Sequence, residues 1–536
     1  LAQPGSSMVR CRLADRGAMS WKPEVEGIEE RRRRATELGG PEAVARQHQL
    51  SRYTVRERID KLLDADSFRE QGPIAGHPEY DAEGRLEDFT PANYVLGMGR
   101  IDGRPCAVGG EDFTQRGGSP SASGLHKSVF AEDLACHARV PLVRLLQGGG
   151  GSVAGTQGKA PRGPGEPVYA RHRFASMSRA MAGAPVVSAA LGAVAGLPAA
   201  RLVASHFCLM TRGNSQVMVA GPAVVERATG IALDKEGLGG AAVHERSGVV
   251  DNVVADERAA FQEIRRFLSY LPTNVWERPP RAPVNDDRGR CEEKLLSIVP
   301  RNRRRVYNMR RLLDHVLDRD SFFEMGALHG RSQITGLAHL DGWPVGVWAN
   351  DPRYYAGAMT ARGARKVRRF VDLCETFHLP VICFVDEPGF MIGPEAEADA
   401  TIRFGTEALF AVVQATVPWA SVIVRKTYGV ASAAHFAEGA HILAWPSAEG
   451  GALPLEGGVA VAFRREIAAA EDPEAKRREI EESFGRARSP FPRAESFGVN
   501  DLIDPRRTRP ELCDWLEWIQ PRLRAHLGER SHSIRP

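Results

Sequence analysis

The sequence repeats itself, and the repeat limits the fold more tightly than any other feature. Leu63-Asp64-Ala65-Asp66-Ser67-Phe68-Arg69-Glu70 returns as Leu317-Asp318-Arg319-Asp320-Ser321-Phe322-Phe323-Glu324. Asp102-Gly103-Arg104-Pro105 is echoed 239 residues later by Asp341-Gly342-Trp343-Pro344, and Pro141 and Pro380 keep that spacing. Pro185 and Gly196 correspond to Pro418 and Gly429, 233 residues on. Four echoes in one order, with small drifts in spacing, identify two copies of one unit.

The seam is legible in composition. Trp276 to Arg290 carries Pro279, Pro280 and Pro283 among charged residues, without an apolar period, as an extended linker does. The expected organisation is an N-terminal extension over 1–27, a first copy over 28–275, the linker over 276–290 and a second copy over 291–536. Before the seam, Asp256 is placed to cap a helix whose apolar side is Phe261, Ile264, Leu268 and Leu271. After it, Val306, Met309, Leu313 and Val316 mark another. Further on, the helical stripe Val367, Phe370, Val371 and Cys374 precedes the run Val381–Val385, and a helix over Thr406–Gln414 precedes Ser421–Val424. Short apolar runs between helices read as strands buried on both faces, hence βαβ units and largely parallel sheet. The fold class expected is α/β, in two tandem domains related by duplication.

Composition excludes several classes of function. The 71 basic and 67 acidic residues leave a formal charge of +4, so no broad basic field awaits nucleic acid or anionic lipid. Eight cysteines lie far apart with no C-x2-C spacing; neither a metal site nor a disulfide framework is expected, and a reduced, intracellular chain is the better reading. Met181–Ala200 is uncharged and long enough to span a membrane, but it is rich in Ala and Gly and broken by Pro185 and Pro198. It reads as a buried strand running into a glycine turn. Leu1 to Arg10 is too polar for a signal peptide.

No G-x-S-x-G elbow, Walker loop or H-E-x-x-H is present. What recurs is strand, glycine turn, helix: Leu191–Leu197 in the first copy and Tyr428–Ala434 in the second. Small residues where a strand feeds a helix leave backbone N–H groups uncovered at the positive end of the helix dipole, a holder for an enolate or ureido oxygen. The alternative is that these glycines serve only close strand–helix packing. Gln147 to Pro167, opening with Gly148-Gly149-Gly150-Gly151, reads either as a ligand-admitting loop or as plain surface. Asp386-Glu387-Pro388-Gly389-Phe390 follows a strand, where carboxylates suit ligand binding; for Glu387 a solvated turn is the expectation. His126, His244 and His435 are expected to be structural, and Arg31–Arg34 a solvated helix face.

Together these residues resemble a known family, the carboxyltransferase (β) subunits of biotin-dependent acyl-CoA carboxylases of the propionyl-CoA carboxylase type. The resemblance runs from about Ile28 to Leu527. It rests on Asp112-Phe113-Thr114 with Gly117-Gly118, Gly221-Pro222, Leu238-Gly239-Gly240, Leu268-Ser269-Tyr270-Leu271-Pro272, Val385-Asp386 with Pro388-Gly389-Phe390, Arg425-Lys426 with Tyr428-Gly429, and Ala444-Trp445-Pro446. It implies two crotonase-like (ClpP/crotonase) domains. It also implies a carbon–carbon bond-forming reaction in which carboxybiotin, delivered on a partner's carrier domain, releases CO₂, biotin takes the α-proton of an acyl-CoA, and the enolate attacks CO₂. The cofactor supplies the base, which accounts for the missing catalytic side chains.

By that resemblance, the backbone pair Gly196 and Leu197 would hold the thioester oxygen, and Val430 and Ala431 the ureido oxygen of biotin. Gly117, Gly118, Gly149, Gly150, Tyr428, Gly429, Ala433, Glu456 and Gly457 would border the ligands. The resemblance further implies a biotin carboxylase and biotin carboxyl carrier partner, a homo-hexamer of stacked dimers with sites shared between chains, no metal in this subunit, and a cytoplasmic or mitochondrial-matrix location. No biotin-accepting Met-Lys-Met motif is present, so the biotin would be the partner's. Departures stand at the turns: the family's Gly-Gly reads Gly196-Leu197, its Gly-Gly-Ala reads Gly429-Val430-Ala431, its Asp-Ser-Gly-Gly-Ala-Arg loop reads Leu146 to Gly151, and its Met-Gly-Ala-Gln-Gly-Ala reads Leu453 to Gly458. An amide donates whatever its side chain, so no donor is lost. A decarboxylase or transcarboxylase would use the same groups, and a non-catalytic scaffold would keep only the assembly.

Overall fold

A computed structural model describes residues 20–150, 173–284, 286–303, 305–485, 489–525 and 527–530. Among these residues ten strands precede the linker: β1 (Arg69–Glu70), a separate hairpin of β2 (Gly76–Tyr80) and β3 (Leu86–Pro91), then β4 (Tyr94–Ile101), β5 (Arg104–Glu111), β6 (Leu142–Gly148), β7 (Val186–Ala195), β8 (Phe207–Thr211), β9 (Gln216–Met218) and β10 (Asn252–Val254). Eight follow it: β11 (Phe323–Met325), β12 (Gln333–Leu340), β13 (Trp343–Asn350), β14 (Val381–Glu387), β15 (Trp419–Tyr428), β16 (His441–Ala444), β17 (Glu449–Gly451) and β18 (Asp501–Leu502).

The two sheets have one topology. The first runs β1-β4-β5-β6-β7-β8-β10 with β9 on the end of β7, and the second runs β11-β12-β13-β14-β15-β16-β18 with β17 on the end of β15. In each, the first three strands pair antiparallel and the rest parallel. Both copies even carry a register shift at the same place, between Leu146 and Gly148 and between Val385 and Glu387. Duplication of the fold is therefore exact in connectivity. Every residue of β6 and of β14 is buried, as continuous apolar runs flanked by helices require. Met181–Ala200 contains the end of one helix, β7 and the glycine turn.

The helices follow their apolar stripes with shifted ends. Asp256 caps Glu257–Ser269 by accepting from Ala259 N, and Phe261, Ile264 and Leu268 are buried. The next stripe loses Val306, which is exposed: the helix is Met309–Val316, because Asn308 accepts from Arg310 N and starts it there. The helix expected from Thr406 begins at Thr401. Between β5 and β6 lies Ala122–Ala138, and between β13 and β14 its counterpart Ala361–Thr376.

The linker is extended but tied down. Ala282 N donates to Gly342 O at 2.8 Å, and the guanidinium groups of Arg278 and Arg281 lie over the Trp343 ring at 4.9 and 5.2 Å. The copies also meet directly. Arg369 reaches Asp251 and donates to the carbonyls of Ser205 (3.0 Å) and His206 (3.2 Å), and one apolar cluster continues from Phe261 and Phe267 to Phe323 and Leu337.

Candidate active site

At the C-terminal ends of β5, β6 and β7 three backbone segments lie on one another. Gly149 N donates to Gly117 O at 3.0 Å, and Ser119 Oγ donates to Gly150 O at 2.7 Å. A Cβ on Gly118 would stand 2.4 Å from Gln147 O, and one on Gly150 2.8 Å from Ala195 O. Glycine is needed at both positions because main chain approaches main chain. Gly196 then turns with φ 64° and ψ −128°, and the helix Leu197–Val203 begins. Pro198 at its second position has no N–H, and Ala200 N returns to Gly196 O. The turn's own donors are thus the amides of Gly196, Leu197 and Ala199. The structure brings Gly117, Gly118, Gly149, Gly150, Gly196 and Leu197 into one cluster. Gly151 and the rest of the loop to Pro167 lie outside the described residues.

Neutral amides brace this cluster from beneath. Gln47 Nε2 donates to Gln147 Oε1 at 2.6 Å, and Gln147 Nε2 returns a bond to Gln47 Oε1 at 3.2 Å. A side chain at Gly192 would collide with Gln147, its Cβ 2.5 Å from Cγ. Glu111 accepts from Gln147 N at 3.2 Å, and burial raises its carboxyl above the ordinary range.

The second copy exchanges these amides for charges. Asp386 stands where the first copy has Gln147, and Arg425 where it has Gly192. Arg425 Nη2 donates to Asp386 Oδ2 at 2.9 Å, Tyr307 Oη to the same oxygen at 3.0 Å, and Lys426 N to Oδ1 at 3.1 Å. Asp386 is therefore a brace between strands, and the expectation that it meets a ligand is corrected: its oxygens are committed inside the sheet. Glu387 is corrected too. It is wholly buried rather than solvated, because the register shift after Val385 turns it inward. Its Oε1 accepts from the amides of Gly389 (3.0 Å) and Met359 (3.3 Å), and Oε2 from Asn350 Nδ2 (3.1 Å). Burial holds its carboxyl well above the ordinary value and pushes the imidazole of His435 down to about 3.

Gly429, with φ 63°, repeats the turn of Gly196, and the helix Gly429–Ala433 follows. Tyr428 and Ala431 are buried, while Val430 and Ala433 are exposed. Strand β17 pairs Glu449, Gly450 and Gly451 with Lys426, Thr427 and Tyr428, which brings Ala452 O to 3.4 Å from a Cβ on Gly429. Gly457 lies in the helix Leu455–Ala462 with nothing within 4 Å of an added Cβ. Glu456 shares that helix; its side chain lies outside the described residues. The two clusters stand at equivalent ends of different sheets. Of the histidines, His126 is exposed, His244 bonds Val217 O at 2.7 Å, and His435 is buried beside Glu387. The pairing of the last two escaped sequence reading, since it arises from register rather than spacing.

Residues 46–534 match the family described as Carboxyl transferase domain. The propionyl-CoA carboxylase carboxyltransferase subunit of Haloferax mediterranei is 34% identical over 524 residues, 96% of this chain and 100% of that one. The methylmalonyl-CoA decarboxylase subunit alpha of Veillonella parvula is 31% identical over 92% of this chain and 96% of its own length. Among solved structures, the transcarboxylase 12S hexamer with methylmalonyl-coenzyme A and methylmalonic acid bound superposes with a TM-score of 0.83 at 30% identity, covering 97% of both chains.

Proposed function

The chain belongs to the carboxyl transferase family, and from that membership we propose that it is the carboxyltransferase subunit of a biotin-dependent acyl-CoA carboxylase. The observation that carries the proposal is the matched pair of turns, Ala195-Gly196-Leu197 and Tyr428-Gly429-Val430, at equivalent ends of duplicated sheets in a chain matched along nearly its whole length.

In this reading the amides of Gly196 and Leu197 donate to the thioester oxygen of the acyl-CoA. Their bonds strengthen as that oxygen gains charge in the enolate, so they lower the barrier to losing the α-proton more than they favour the bound substrate. Gly117, Gly118, Gly149 and Gly150 form the floor on which the thioester lies. The amides of Val430 and Ala431 donate to the ureido oxygen of biotin, with Tyr428, Gly429, Ala433, Glu456 and Gly457 around it. The second turn fits such a group, since amide donors suit a carbonyl and open space surrounds Gly457. When bound, biotin supplies the carboxyl group and the base. The chain's own work is to position the substrate, exclude water and offer two sets of fixed donors.

The partner in this proposal is a biotin carboxylase with its biotin carboxyl carrier domain. The chain forms a hexamer of stacked dimers, a reading supported by the hexamer assembly of transcarboxylase 12S. Its domains span 28–275 and 291–536, joined by 276–290. The seven cysteines among the described residues are all free, which suits the reducing cytoplasm or a mitochondrial matrix. A second reading, decarboxylation or transcarboxylation, is favoured by the similarity to the Veillonella subunit and to transcarboxylase 12S.

The test supplies the chain and its biotinylated partner with a panel of acyl-CoAs and labelled bicarbonate. Label in acid-stable product with one acyl class is expected and names the substrate. Loss of carboxyl from a carboxylated thioester without any net fixation would favour the second reading. Neither outcome, with carboxybiotin formed, would leave a scaffold and overturn both.

A further inference from the structure

Behind the second turn lies a polar cluster that this chemistry does not use. Glu387 closes β14, His435 follows the helix Gly429–Ala433, and both are wholly buried. His435 Nε2 stands 3.5 Å from Glu387 Oε2, and its Nδ1 stands 3.0 Å from Cys383 Sγ. The imidazole stacks on the Trp348 ring with centroids 4.0 Å apart. Its backbone carbonyl accepts from Trp419 Nε1 at 2.9 Å and Ser421 Oγ at 2.6 Å, which anchors the main chain at this residue. Through its bonds to Gly389 N and Met359 N, Glu387 also holds the loop after β14 and the segment after the turn Tyr355–Gly357. One carboxyl thus ties the loop after β14 and the segment at Met359 to His435, which follows the second turn.

The fold does not need these groups. The first copy has Gly148, Leu202 and Arg144 at the positions of Glu387, His435 and Cys383: register matches the strand residues, Gly148 pairing with Val194 as Glu387 pairs with Thr427, and the 233-residue spacing matches Leu202 to His435. With glycine and leucine it builds the same strand, glycine turn and helix. A carboxyl and an imidazole placed in a core are costly unless each satisfies the other, so the second copy holds a feature that packing alone would not select.

We propose that Glu387 and His435 are a positioning unit for the second turn, a carboxyl–imidazole pair that shares one proton and fixes the amides of Val430 and Ala431 against the loop Pro388–Phe390. The inference rests on the proposed role of those amides. The proton count follows from surroundings that favour a net-neutral pair: burial raises the carboxyl and lowers the imidazole, leaving one proton for the two. The ionisable groups facing the pair are few. Cys383 on the same strand is kept a thiol by burial. Asp386, also on that strand, is met by Arg425 from β15 and by Tyr307. Strand β13 and the segment Ala358–Met359 contribute the neutral Asn350 side chain and Met359 N. Loss of the shared proton at alkaline pH leaves a buried carboxylate behind the turn, so transfer falls as pH rises through the pair's titration.

The test uses the assembled full-length protein, Glu387→Gln, His435→Leu and the double variant. Glu387→Gln keeps an oxygen for the amides of Gly389 and Met359 while removing the titrating proton, and His435→Leu installs the first copy's side chain. Two measurements are made: transfer from a carboxylated acyl-CoA to free biotin, and Tm from neutral to alkaline pH. Each single variant is expected to lower kcat by roughly tenfold with the acyl-CoA KM within about twofold, the scale of losses when supporting hydrogen bonds are removed. The alkaline limb of kcat disappears in both, and the double variant is no worse than the poorer single. Losses that multiply in the double variant, or an unchanged alkaline limb in Glu387→Gln, overturn the proposal. If the wild type transfers nothing to biotin, the reading of the second turn has failed instead, and Tm decides the pair. Coupling between the two substitutions that varies with pH is expected there; independence at every pH overturns it.

Discussion

Pro198 makes the first turn asymmetric, because the second helical position offers no N–H. The donor next to that of Gly196 is then the amide of Leu197, at the first helical position. Gly196→Pro is a poor probe, because φ 64° lies outside proline's range and the turn itself would be lost. Leu197→Pro is cleaner, since the first position of a helix accepts proline and the N–H is deleted without breaking the turn; Leu197→Ala controls for the side chain, which packs against the core. If the Leu197 amide stabilises the enolate oxygen, kcat should fall by about 100-fold, as on removal of one oxyanion donor, with little change in KM for the acyl-CoA. Steady-state kinetics on the purified oligomer checks this, with Tm as the control for folding. Unchanged kcat would remove Leu197 from the site. Leucine in place of the family's second glycine alters what surrounds the amide and leaves the donor in place.

At the scale of elements, the duplication places the same lysine on equivalent helices. Lys366 of Ala361–Thr376 donates to the carbonyls of Gly326 (2.8 Å), His329 (3.2 Å) and Gln333 (2.8 Å). Lys127 of Ala122–Ala138 donates to Gly72 O at 3.1 Å and lies 3.7 Å from Glu70. Each ammonium pins the antiparallel edge of its sheet to the crossover helix. Burial pulls Lys366 from 10.5 down to about 8, so the unfolded chain holds this proton more tightly than the folded one. The cost of its charge is therefore full below about 8 and is relieved as pH rises from there toward 10.5. Urea unfolding of the wild type should show stability rising across that window relative to Lys366→Met, which lacks the slope. Near neutrality Lys366→Met should still be less stable by about 1–3 kcal/mol, because two buried carbonyls and a partly buried one lose their donor. The 239-residue spacing that links Asp102 to Asp341 also links Lys127 to Lys366, so the repeat contained this pair. The repeat also carried the two sheets, and apolar runs carried β7, β14 and β15, since strands buried on both faces must be continuous. Helix starts at Met309 and Thr401 were less legible, because a cap or a turn decides them rather than the stripe. The interiors of Asp386, Glu387 and His435 were not legible at all: which neighbour a polar side chain meets is set by register across strands distant in sequence.

For the whole molecule, the question is which turns work together. Exposed apolar side chains stand at both: Val219 is 96% exposed just beyond the strand that pairs with the end of β7, and Val430 (64%) lies in the second turn. Apolar surface next to these turns is what a neighbouring chain would cover. Within one chain, Arg369, Asp251 and the docked linker hold the copies in a single arrangement. A site built from the first turn of one chain and the second turn of another has a distinctive genetic signature. Leu197→Pro disables only first turns, and Val430→Pro, by deleting the matching amide, only second turns. Each homo-oligomer should be inactive. In a mixed dimer one site combines both damaged turns, while the other combines both intact ones. Random mixing makes half the dimers mixed, so co-expressed chains should recover about a quarter of wild-type transfer. Oligomers purified through two different affinity tags, which removes unmixed species, should recover more. Mixed oligomers that stay at the level of either parent would mean that the two turns of a single chain act together, and the exposed residues beside them would then need a different partner.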